Sequence, residues 1–106
     1  MMIHQDKCAE LNWLTPKSYE TQYSYILRLL LEGFTLTTRT CRYIGIHNLH
    51  SIIPKFYDRE IELTHYLGQA ECPFTKEIPE RRVNIVYMTP EQRQAYWAKK
   101  TALATA

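Results

Sequence analysis

Residues 36–63, LTTRTCRYIGIHNLHSIIPKFYDREIEL, contain two short amphipathic segments separated by Gly45, then an extended stretch. Thr37 or Thr38 can cap a helix running to about Ile44, because a threonine hydroxyl accepts from a free first-turn amide. Leu36, Cys41 and Ile44 give that helix a buried side, and Gly45 supplies the left-handed residue that ends it. Asn48 is a suitable cap for the next helix, in which Leu49, Ile52, Ile53 and Phe56 fall at i, i+3, i+4 and i+7 on one inward stripe. Pro54 lies inside this helix and removes its bond to residue 50, at a cost of about 3 kcal/mol unless a kink or early ending relieves it. His47, Asn48, His50 and Ser51 fall on the outer side. The pair is either built to enter a DNA groove or is only a compact helical corner.

Upstream, Thr15-Pro16 predicts a helix start, with Tyr19, Tyr23, Ile26, Leu27 and Leu30 on one apolar face and Gly33 at the end. Residues 4–12 predict a turn or two of helix, packed down by Trp13-Leu14. Downstream, Ile61–Leu67 and Val83–Met88 alternate and are rich in strand formers. Gly68 marks a turn or bulge between them, and GQAECPFTKEIPERR (residues 68–82) reads as a hairpin tip or long loop. Thr89-Pro90-Glu91-Gln92 combines a capping threonine, a first-turn proline and a glutamine three residues on. It predicts a helix to about Lys100 with a frayed ALATA end. The order is helix, helix, helix, strand, strand, helix: mostly α with a small antiparallel β-ribbon, the winged helix-turn-helix plan. Its expected parts are an N-terminal extension (1–14), the winged domain (15–88) and a C-terminal helix with tail (89–106).

A length of 106 residues suits one domain. The 13 basic and 11 acidic residues leave a net charge of +2, too mild by itself to identify a nucleic-acid partner. Cys8, Cys41 and Cys72 are odd in number and never at metal spacing, which implies reduced thiols and a cytoplasmic setting. No apolar run approaches the ~20 residues of a membrane span. The N-terminal residues have no signal-peptide core. His4, His47, His50 and His65 form no HxxxH or HExxH array, and three scattered glycines cannot build a phosphate loop. Cys41 reads as packed and inert. The expectation is therefore no metal, no cofactor and no enzymatic activity.

Leu30-Leu31-Glu32-Gly33, Leu36-Thr37, Gly45-Ile46, Leu49, Ile53 and Phe56 form a pattern that resembles the small winged helix-turn-helix proteins of bacteriophages and prophages, over residues 18–67. The resemblance implies a transcriptional regulator or excisionase-like factor that binds duplex DNA through its third helix. The chain departs from that pattern with Asn48 and Ile52 where arginine is expected, Pro54 in mid-helix, and Glu60 in place of a glycine before the wing.

The candidate DNA-binding residues follow. Thr37, Thr38, Arg39 and Arg42 would meet phosphates, and His47, Asn48, His50 and Ser51 would meet base edges. Lys55 belongs to the same locally positive stretch, in which Arg39, Arg42, Lys55 and Arg59 stand against Asp58 and Glu60. On a blander reading Asn48 only caps and the histidines face solvent. In the wing, Lys76, Arg81 and Arg82 are close enough to meet backbone, but Glu71, Glu77 and Glu80 would repel it. Tyr96 and Trp97, beside Lys99 and Lys100, suit a homodimer interface. A rival reading comes from another class: a winged-helix module that binds a host defence protein, such as a phage-encoded nuclease inhibitor of the anti-CRISPR type. Ile52, Pro54, Glu60 and the acidic, proline-bearing insertion favour it.

Overall fold

The computed structural model describes residues 3–105, with side chains through residue 101. The outermost residues of the expected segments 1–14 and 89–106 lie outside them. The elements are α1 (Gln5–Glu10), α2 (Gln22–Leu31), β1 (Leu36–Thr37), α3 (Thr38–Tyr43), α4 (Leu49–Asp58), β2 (Thr64–Gly68), β3 (Val83–Tyr87) and α5 (Pro90–Thr105). The strands form one antiparallel sheet in the order β1-β3-β2, so the chain is helix-rich with a small sheet, compatible with a winged-helix-like arrangement. Leu36 pairs with Val86 and Thr37 with Ile85, while β2 runs from Thr64 opposite Tyr87 to Gly68 opposite Val83.

The first four helices end in the same way. In each, a left-handed residue follows the last turn: Asn12, Gly33, Gly45 and Glu60, at φ of 57°, 92°, 99° and 59°. Its amide and the next one reach back into the last turn. Gly45 donates to Arg42 at 3.1 Å and Ile46 to Cys41 at 2.8 Å. Gly33 and Phe34 make the same pair of bonds to Leu30 and Leu29, Asn12 and Trp13 to Ala9 and Cys8, and Glu60 and Ile61 to Tyr57 and Phe56. This is the Schellman closure, which satisfies carbonyls that a helix end would otherwise leave free. The residue after each left-handed position (Trp13, Phe34, Ile46 or Ile61) is apolar and lies in or against the core. Each closure thus ends a helix and sends the chain back inward.

The core gathers Tyr25, Ile26, Leu29 and Leu30 of α2, the α4 stripe Leu49, Ile52, Ile53 and Phe56, and Leu36, Cys41, Ile44, Ile46 and Val86, all buried. Each large aliphatic or aromatic side chain so removed from water contributes about 1.5–3 kcal/mol. Tyr23 stacks on Phe56 with ring centroids 4.6 Å apart. Ile3 and Cys8 belong to the same cluster, and the His4 amide donates to the Ile44 carbonyl at 2.8 Å. Tyr43 donates its hydroxyl to Glu10, binding α3 to α1.

Three sequence expectations are corrected. The helix expected to start at Thr15-Pro16 begins at Gln22, where the Thr21 hydroxyl accepts from the Ser24 amide at 3.1 Å. Residues 17–20 instead form a turn, fastened by Arg28, which donates twice to the Glu20 carboxylate and once to the Thr15 carbonyl, each at 2.8 Å. Tyr19, expected on the apolar face, is therefore 81% exposed, and Tyr25 and Leu29 hold that place. The short helix expected within residues 4–12 is present as α1, but the element order also gains β1, whose two residues are too few for strand alternation to show in a sequence. Finally, α5 does not fray after Lys100 but continues to Thr105.

Gly45→Ala places a side chain at a left-handed position and should cost about 1–2 kcal/mol in chemical denaturation. An unchanged midpoint would mean that the turn relaxes freely. The Glu20 carboxyl lies below the usual carboxylate range, chiefly through its hydrogen bonds from Arg28 and against the opposing effect of burial. Its contribution is therefore present above the unfolded pKa near ~4.3 and is lost as pH falls through the lowered folded value. Glu20→Gln should cost about 1.5–3 kcal/mol at neutral pH, a loss that closes in acid. Parallel stability curves for variant and parent across that range would contradict this.

Candidate nucleic-acid interface

Burial of the α4 stripe turns the opposite face outward: His47, His50, Ser51 and Lys55 are exposed. Ile52 is only 2% exposed, so the position where the resemblance expects arginine belongs to the core. Asn48 occupies the N-cap position, yet its side chain makes no capping bond, and its Oδ1 is buried without a partner. The expected cap is thus corrected: Asn48 stands at the N-cap position but its side chain does not cap the helix. Pro54 is exposed on the outer face, and the helix continues past it to Asp58. The missing proline N–H leaves the His50 carbonyl without its helical donor.

The expected phosphate-facing residues of α3 divide by role. The Thr37 hydroxyl accepts from the Thr40 amide at 3.0 Å while Thr40 Oγ1 accepts from the Thr37 amide at 2.9 Å, a reciprocal capping pair. Thr37 is thus engaged in closing the helix. Arg42 is exposed. Arg39, expected on the exposed side, is half-buried. Its Nη2 donates to the Arg81 carbonyl at 3.1 Å, and its Nε is buried with no acceptor. An unmade bond of this kind costs about 1–3 kcal/mol.

The loop between β2 and β3 accounts for the Arg39 geometry. It closes on itself through Cys72 donating to Glu77 at 2.8 Å and Lys76 donating to Cys72 at 2.7 Å. Phe74 meets the Tyr43 ring edge-on, with centroids 4.8 Å apart. The loop therefore folds back over α3. The Cys72 thiol is held below its ordinary range mainly by the Thr75 amide and hydroxyl, with the Phe74 amide and nearby Arg39 adding to the effect.

This return brings Arg81 and Arg82 to α3. Thr38, Arg39, Arg42, Leu67, Arg81, Arg82, Val83 and Asn84 line a cleft of about 260 Å³ that contains no carboxylate. Asn84 also lines a second cleft, of about 300 Å³, with His50, Pro54, Asp58 and His65. There the Tyr57 hydroxyl and His65 Nδ1 lie 2.7 Å apart. The arginine cleft and the outer side of α4 therefore adjoin. Of the candidate residues, Thr38, Arg39, Arg42 and His50 meet on these two clefts, while Thr37, His47, Asn48, Ser51 and Lys55 line neither. Arg81 and Arg82 are not among the candidate residues of the sequence, where Glu71, Glu77 and Glu80 around them disfavour phosphate contact. None of Glu71, Glu77 and Glu80 lines the cleft. The usable signal was the Arg81-Arg82 pair directly before β3. Nothing in the sequence singled out Asn84.

A concavity of about 1010 Å³ lies between α2 and α5, beyond the C-terminal end of α4. Tyr23, Leu27, Ile61 and Tyr96 line it, and the Glu60–Lys99 ion pair at 2.9 Å stands beside them. Among the described residues, no group of three or more His, Cys, Asp and Glu could hold a metal ion. No helix among them is long and apolar enough to cross a membrane. Compared with known proteins, the chain matches no family model, no curated protein and no solved structure.

Arg39→Ala should release the loop at residues 69–82. Amide hydrogen exchange there is expected to quicken severalfold, with α2 and α4 still protected. Unaltered exchange would show that the bond to the Arg81 carbonyl holds nothing in place.

Proposed function

We propose that this protein is a winged helix-turn-helix module that binds duplex DNA, in the manner of the phage and prophage regulators and excisionase-like factors its sequence resembles. In this reading α3, the Gly45 turn and α4 form the helix-turn-helix, and β2 and β3 form the wing. The carrying observation is a single surface on which the exposed face of α4 adjoins a cleft of four arginines with no carboxylate in its lining. His47, His50 and Ser51 at the start of α4 would meet base edges, while Asn48, whose Oδ1 is buried, would not pair with a base in this conformation. Arg42 and the neighbouring arginines would take phosphates, fixing register without reading sequence. The activity is binding alone, without metal, cofactor or catalysis. Two copies would set the spacing of paired half-sites.

A protein partner is the second reading. Phe74 and Ile78 on the folded-back loop are 65% and 64% exposed, and the α2–α5 groove offers a further partly apolar surface.

A polarisation titration with a random duplex at 50 and 200 mM salt separates the two. If three phosphates are neutralised, affinity should fall on the order of 40-fold between these conditions, because each contact releases condensed counterions. Absence of binding even at the lower salt would discard the DNA reading and leave the protein partner.

A further inference from the structure

We propose that the cleft between α3 and the base of the β2–β3 loop is a binding site for one phosphate group, held by Arg39, Arg42, Arg81 and Arg82 with Thr38 and Asn84. Elsewhere the chain gives many of its cations a partner. Lys7 is paired with Glu10, Arg28 with Glu20 and Lys99 with Glu60, while Arg59 and Lys100 lie over the rings of Tyr23 and Tyr96. Among the described residues none of the four cleft arginines has an ion pair. They nevertheless converge on one cavity of about 260 Å³, against the roughly 30 Å³ share of a single water molecule.

Four arginines lining one cleft with no carboxylate in its lining concentrate positive charge there, and an anion seated among them would offset it. Arg39 also keeps an unused donor, since its buried Nε has no acceptor while its Nη2 is taken by the Arg81 carbonyl. Arginine presents up to five donors in a planar fork that matches phosphate oxygens in pairs. The Thr38 hydroxyl and Asn84 amide supply neutral donors at the same cavity. A carboxylate ligand would meet the same charge but offers fewer oxygens than this set can engage. The phosphate could belong to the DNA backbone beside α4 or to a free phosphorylated molecule. Only the first source rests on the DNA reading.

The experiment uses the whole chain, with inorganic pyrophosphate and a random duplex as probes. The pyrophosphate titration is followed on the arginine Nε–H resonances. Arg81→Gln/Arg82→Gln changes two exposed side chains and leaves the Arg81 carbonyl in place. Lys17→Gln/Lys100→Gln removes the same charge away from the cleft. Saturable shifts centred on the Arg39 Nε–H, weakened at least tenfold in the arginine variant and unchanged in the lysine variant, support the site. If the duplex is the source, pyrophosphate competes with it, and the arginine variant loses about two from the salt slope of duplex binding. Pyrophosphate binding at the cleft without any duplex binding supports a free phosphorylated ligand and overturns the DNA reading instead. Absence of arginine shifts, with duplex affinity equal in both variants, overturns the cleft and leaves the DNA reading intact. Arg42→Gln provides an independent single-site check if the double variant unfolds. It should weaken pyrophosphate severalfold, and an unchanged affinity counts against the site.

Discussion

The architecture depends on a backbone event repeated at four helix ends, the left-handed residue that stops a helix and turns the chain inward. None of α1 to α4 exceeds ten residues. Isolated helices that short are marginal in water, so their stability comes from packing and from closure of their ends. At Gly45 the closure does more than end a helix. The amides of Gly45 and Ile46 are fixed onto α3, which sets where the chain leaves it and how α4 approaches the core. With Leu49, Ile52, Ile53 and Phe56 turned inward, His47, His50 and Ser51 have only the outside available.

Features resting on local chemistry were legible in the sequence. The α4 stripe, the stops at Gly33 and Gly45 and the Thr89–Gln92 start of α5 are each encoded within a few residues, and each stands where expected. Gln92 also accepts from Thr64 at 3.1 Å, tying α5 to β2, which no local pattern announces. Features resting on competition between local signals were misread. Thr15-Pro16 and Thr21 are both sound caps, and the choice between them rests with Arg28, which spans residues 15–20 through tertiary bonds. Asn12 and Glu60 take left-handed conformations without being glycine, so the stops they supply carry no glycine marker. The candidate site was legible at Thr38, Arg39, Arg42 and His50. Its half from the β2–β3 loop was not, because the return of residues 69–82 depends on Phe74 meeting Tyr43 and on Arg39 meeting a distant carbonyl.

The balance of charge shows why totals mislead. A net charge of +2 suggests a nearly neutral surface. The sum hides where the charges lie: Glu10, Glu20 and Glu60 are each engaged by a cation that does not line the arginine cleft. The cleft lined by Arg39, Arg42, Arg81 and Arg82 has no carboxylate in its lining, so positive charge is concentrated there beyond what the sum implies. Fields of this kind bear on association and partner choice rather than on the fold.

Arg39 joins α3 to the β2–β3 loop. One of its donors holds the loop backbone at Arg81, and that bond brings Arg81 and Arg82 to the cleft in which Arg39 itself takes part. A lysine could supply the charge but not a rigid fork with separate donors for carbonyl and anion. The Nε–H left unsatisfied is a cost that the bond from Nη2 to the Arg81 carbonyl does not require. Its persistence is most simply explained if the acceptor comes from outside the chain. An anion seated there would satisfy the donor and offset the positive charge of the arginines. The loop's closure over α3 would then be tightest when the cleft is filled.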